Sequence, residues 1–141
     1  MKKGDKQLAE FKRGVVSGAK AGAVYGLIIA AIGVAYAYIT LEPGYVINTG
    51  RAISLVIAYA IAGAMVGMIF GTIYAAAYGG LPGSKSIHKG LSLGVVWWLV
   101  VGLGLSYLLG TTIDTVHIVS SLISALIWGA LIGFFWDRYR T

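Results

Sequence analysis

The chain has no cysteine and little charge: only 11% of its 141 residues are Asp, Glu, Lys or Arg. Without cysteine there are no disulfides, no thiolate metal sites and no thiol nucleophile. Soluble domains carry about 25% charged residues. That deficit, with 58% hydrophobic residues and a mean hydropathy of +0.83, excludes an ordinary water-soluble domain. Acids are missing where they would matter most. Asp5, Glu10, Glu42, Asp114 and Asp137 all lie outside the long apolar runs or at their ends. No carboxylate falls at mid-depth, so there is no paired-acid catalyst there and no buried proton relay of the kind that ion-driven pumps need.

What is present is glycine, in order. Gly14, Gly18, Gly22 and Gly26 recur at every fourth position and open a long apolar run. On a helix, i and i+4 lie one turn apart on nearly the same face, so the row makes a groove without side chains. In water each interior glycine costs roughly 1 kcal/mol against alanine. In a bilayer the groove lets two backbones approach and gain van der Waals contact. Gly63, Gly67 and Gly71 repeat the row in a second run; Gly90, Gly94 and Gly102, with Trp98 in the gap, follow in a third; Ala125, Gly129 and Gly133 mark a fourth. A transmembrane helix needs about 20 apolar residues. The expected fold is therefore all-α, one domain, a polytopic four-helix bundle packed through glycine-zipper (GxxxG) rows, with spans near 14–39, 51–78, 88–109 and 116–136. Rows of this kind predict a close right-handed crossing, first of all between spans one and two.

Residues 1–13 form a basic lead that solvates or lies on the membrane surface. The run after it is too long for the h-region of a secretory signal, about 7–15 residues, so span one is read as retained. All eleven Lys and Arg except Arg51 fall at the N-terminus, in the connection between spans two and three, at the C-terminus, or at Lys20. Both termini are expected on the cytoplasmic side of the plasma membrane. The net charge of +6 is explained by this flanking pattern and by anionic headgroups, which Lys20, Lys85, Lys89 and Arg138 are placed to meet; nucleic acid is not an expected partner. The two hairpins look like copies, since Arg13-Gly14 opens one and Lys89-Gly90 the other, in parallel orientation.

Candidate chemistry is sparse. Gly79 to Ser86 imitates a phosphate loop, but Lys85 follows serine and no strand precedes it. His88 and His117 start successive spans at opposite faces, separated by roughly 30 Å of helix. They share no metal within one chain; a haem held between two chains is the remaining possibility. His117 and Asp114, at i and i+3, form a candidate polar contact. No metal site, catalytic group or cofactor is expected. The aromatics are more telling. Tyr36, Tyr38, Tyr78, Trp136 and Tyr139 fall at interfaces, as belts do. Tyr25, Trp97, Trp98 and Trp128 fall at mid-span, either filling glycine grooves or walling an apolar cleft for a quinone or lipid tail. Their buried indole N–H groups would need partners, with Ser92, Ser106 and Ser124 as candidates.

The layout of four glycine-rowed spans resembles the mitochondrial inner-membrane protein-import channel family. That family's arginine-and-aspartate signature at the second span has no counterpart, because no acid follows Arg51 within its span, and no residue role carries over. The leading expectation is a structural or accessory membrane subunit that packs with itself or with other membrane subunits. The alternative is an oligomeric channel or carrier lined by Ser17, Thr72, Ser92 and Ser124. A binder of a lipophilic ligand comes third.

Overall fold

The structure is a computed structural model that describes residues 3–40, 48–108 and 114–139. Its described residues form four helices, each long and apolar enough to cross a membrane. Helix α1 is Lys3–Thr40, α2 is Thr49–Ala77, α3 is Ser86–Leu108 and α4 is Thr115–Arg138. At 1.5 Å per residue, the 38 residues of α1 extend about 57 Å, well past a hydrocarbon core of about 30 Å. The excess is the basic lead, which continues the span as one helix instead of forming a separate segment. The Glu42-Pro43-Gly44 turn and the Gly110 connection lie outside the described residues.

Helix starts follow from local chemistry. Asn48 Oδ1 accepts from the Arg51 backbone N–H at 3.3 Å, and Asp114 Oδ1 accepts from the His117 N–H at 2.6 Å. Both are N-caps that satisfy otherwise orphaned donors. The contact expected between Asp114 and His117 is therefore carboxylate to backbone, and the imidazole is not its partner. Between α2 and α3, Gly83 has φ +126°. An added Cβ there would stand 2.7 Å from His88 Cβ, so the turn needs glycine twice over.

Helices α1 and α2 pack antiparallel at backbone distance. A Cβ added at Gly14 would strike the Gly71 carbonyl, at Gly18 that of Gly67, at Gly22 that of Gly63 and at Gly26 that of Tyr59. Helices α3 and α4 do the same over a shorter stretch: Gly90 against Gly129, Gly94 against Ala125, and Gly133 against Ser86 and Ile87. The two hairpins join chiefly through α1 and α4. A small buried core of Ala21, Tyr74, Leu93, Ile132 and Trp136 lies at that junction. Much of the exposed surface is apolar. On α2, Ile53, Leu55, Ile57, Ile61, Met65 and Ile69 are each more than half exposed. A patch of that size would drive aggregation in water; in a bilayer it faces a solvent as apolar as itself.

Residues Trp98–Leu105 of α3 are π-helical. The expected small-residue row on α3 ends there. At Gly102 the atoms nearest an added Cβ belong to Trp98, with Cδ1 at 3.0 Å, and not to α4. The bare Gly102 backbone gives the Trp98 ring room to lie along its own helix.

Candidate functional site

The mid-span aromatics gather around one cavity of about 360 Å³. Phe70 and Val66 of α2 form one side. Trp97, Trp98 and Val101 of α3 form another, and Ser121, Ser124 and Trp128 of α4 close the back. The floor is small: Gly94, Gly102, Ala125 and Gly129. The walls are braced by ring contacts. Phe70 meets Trp97 edge-on at 4.2 Å, and Trp128 lies 5.2 Å from Phe70 and 4.7 Å from Tyr25. Tyr25 stands behind Trp128 and does not itself line the cavity. The cavity lies where the close backbone approach of α3 and α4 ends, at Gly94 and Ala125. The next position in the α3 row is a tryptophan, whose ring occupies the space a third glycine would have closed.

The expected indole partners are not the ones found. Ser92 donates to the carbonyls of Pro82 and His88, and Ser106 to that of Gly102. Ser124 pairs with the Tyr25 hydroxyl. Trp98 Nε1 donates to Ser121 Oγ at 3.0 Å, while Trp128 Nε1 is buried without an acceptor among the described residues. The signal for Ser121 was present in the glycine rows. The antiparallel register that sets Gly90 on Gly129 and Gly94 on Ala125 also sets Trp98 beside Ser121.

A second cluster sits at the end where the basic residues collect, and sequence reading missed it. Arg13 of α1 donates through Nε and Nη2 to the Trp136 carbonyl at 2.8 and 2.5 Å, with its guanidinium 4.5 Å above the indole. Tyr74 donates to the Ser86 carbonyl at 2.6 Å. Ser86 Oγ donates to Asp137 Oδ1 at 2.5 Å and accepts from Tyr78 at 2.7 Å. Tyr74, Tyr78 and Trp136 pack ring on ring, the last two stacked at 4.8 Å. The cluster binds all four helices. It draws on residues that the sequence presents as unrelated boundary groups, because only the fold brings residue 13 to residue 136. Ser86, read as part of a false phosphate loop, is its centre and is buried.

The cations proposed for headgroups share this end. Lys89 Nζ donates to the Tyr78 carbonyl at 2.8 Å and lies 4.1 Å from the Tyr78 ring. Arg138 lies over Phe134 at 4.5 Å, and Lys20 lies 5.7 Å from the Tyr139 ring. Lys85 is exposed just before α3. The hydroxyls proposed to line a path are scattered. Ser17 is fully buried, Thr72 bonds the Met68 carbonyl, Ser92 bonds the Pro82 carbonyl in the α2–α3 connection, and Ser124 alone reaches the cavity. Among the described residues no three His, Asp or Glu side chains gather as a metal site.

No known family matches. Comparison with family models, with curated proteins and with solved structures returns nothing similar to this chain, so the layout resemblance to import channels gains no support.

Proposed function

We propose that the protein is a non-catalytic accessory component of the membrane. In this reading it is a rigid bundle that associates with itself or with other membrane subunits and supplies them with a fixed apolar surface. The observation that carries it is the division of the surface. The small-residue rows are consumed inside the chain, and what remains outside is a broad apolar skin on helices already braced against each other. Preformed helices that lose little freedom on docking suit a partner role. The rows act as glycine zippers within each hairpin, so assembly uses the aliphatic faces instead.

The basic end, with Lys6, Lys12, Arg13, Lys20, Lys85, Lys89 and Arg138, is cytoplasmic in this reading, in the plasma membrane, and Arg51 marks the opposite face. Lys20 and Arg138 contact headgroups from ring-supported positions. Conduction is the weaker reading, since the candidate hydroxyls do not share a cavity among the described residues.

The test is native mass spectrometry after mild extraction from the membrane in which the chain is made. The expected result is a defined stoichiometric complex, of copies of this chain or with another subunit. A bare monomer under every mild condition, together with solute flux through reconstituted vesicles, would overturn the proposal.

A further inference from the structure

The cavity between α2 and α3 has a donor left over. Ser121 has spent its one donor on the Ile118 carbonyl at 3.0 Å and accepts from Trp98. The Tyr25–Ser124 pair is different. Two hydroxyls bring two protons to one mutual contact, and each hydroxyl carries one donor. A phenol O–H is a better donor than an alkyl hydroxyl, so Tyr25 donates and the Ser124 proton is left unassigned. Of the two, it is Ser124 that lines the cavity. An unspent hydroxyl donor in an apolar chamber calls for an acceptor.

Shape and depth narrow the acceptor's class. Trp97 and Trp98 are near the middle of the 23-residue α3, and Trp128 near the middle of the 24-residue α4. Lipid ester carbonyls lie at the edge of a core about 30 Å thick, about half that thickness away. No charged side chain lines the chamber, so a charged ligand would be left uncompensated. Indole and phenyl walls over a floor of glycine and alanine make a slot for a flat ring. An apolar cavity of about 150 Å³ takes benzene, so about 360 Å³ admits a substituted ring. The mouth lies on the lipid side, between Val66 and Trp97, which are 44% and 37% exposed.

We propose that this cavity binds a flat, uncharged, carbonyl-bearing lipophile of the quinone class. The ligand enters from the bilayer interior between α2 and α3, and its carbonyl accepts a hydrogen bond from Ser124. The site is independent of the accessory role, since the chain alone builds it.

The probe is a decyl-substituted 1,4-benzoquinone, titrated into the full chain in lipid nanodiscs and read by tryptophan fluorescence. Of the four tryptophans in the chain, Trp97, Trp98 and Trp128 line the cavity. Saturable quenching is expected. Ser124→Ala should weaken it about tenfold, the worth of one good hydrogen bond, while Tyr25→Phe, which keeps the serine donor, should preserve it. Val66→Phe, at the lipid-facing mouth, should abolish saturation without unfolding the bundle. Val100→Phe, exposed elsewhere on α3, should change nothing. Decylbenzene, with no carbonyl, should compete at least tenfold more weakly than the quinone. Linear quenching, identical in all variants, would mean simple partition into lipid and would overturn the proposal. So would equal competition by decylbenzene, which would make the chamber an unselective apolar hole.

Discussion

The two hairpins use the same device to different extents. In α1–α2 the backbones stay in contact from Gly14 on Gly71 to Gly26 on Tyr59, through four successive turns of α1. In α3–α4 the backbone contact runs from Ser86 on Gly133 to Gly94 on Ala125, and beyond it a side chain, Trp98 on Ser121, takes over. The difference traces to one position. Where α1 continues its row with a glycine, α3 has Trp98, and α3 becomes π-helical at that residue. π-helical turns inside α-helices often mark functional sites. The first hairpin is thus a clamp and the second a clamp with an opening, and the opening is lined by the rings that interrupt it. Along the uninterrupted row from Gly14 to Gly26 the two backbones touch; where Trp98 interrupts the second row, the ring-lined cavity lies beside it.

The most damaging change to the clamp should be Gly22→Leu. Its side chain would have to enter space held by the Gly63 carbonyl and the Gly67 Cα. Neither is a flexible side chain, so the helices must separate, at a cost of about 3 kcal/mol or more. Thermal unfolding in detergent checks it. An unchanged midpoint would mean that α1 and α2 are not held through this face.

The next largest effect should come from the residue that interrupts the second row. Trp98→Ala removes a half-buried ring and its bond to Ser121. The expected loss is about 2 kcal/mol, below the usual range for a fully buried tryptophan because one side of the ring faces the cavity. Unaltered stability with loss of quinone quenching would show that the ring serves the ligand more than the packing. Arg13→Gln probes the joint between hairpins. It removes the guanidinium from the Trp136 carbonyl and ring, worth about 1–2 kcal/mol at a partly buried site. It should lower the unfolding midpoint and leave quenching in the distant cavity intact.

Much of this fold was open to sequence reading for one reason: helix period and glycine spacing are local. The four apolar runs matched four helices to within a few residues at most ends, and the rows of Gly14 and Gly63 pointed at each other because both are uninterrupted. The gathering of Trp97, Trp98 and Trp128 was legible as shared depth. What spacing could not give was the rotation of α3 beyond Trp98. A π-helical turn resets which residues share a face, so Gly102 left the row in which counting by fours had put it. Nor could it give the Arg13, Ser86 and Asp137 cluster, whose members are ordinary boundary residues until tertiary contact brings them together. The helical continuation of the basic lead has a local reason as well. Lys6, Lys12 and Arg13 continue the α1 helix, because lysine and arginine are good helix formers and nothing in the lead breaks it.

The smallest expected effect is also the most discriminating. Gly33 belongs to α1, two turns beyond the clamp, and an added Cβ there would meet nothing within 4 Å. Gly33→Leu should therefore cost no packing in the single chain. It should even gain slightly, since glycine is roughly 1 kcal/mol worse than most residues inside a helix. Set against Gly22→Leu on the same helix, this pair isolates contact from composition: same residue type, same substitution, opposite surroundings. Measured in detergent that isolates the monomer, the Gly33 variant should melt at or slightly above the parent. Measured in lipid under conditions that preserve association, an equal result would keep α1 beyond Gly26 facing acyl chains. A loss confined to the lipid measurement would instead place a neighbouring subunit on Gly33, because only a second backbone packed there could object to the new side chain.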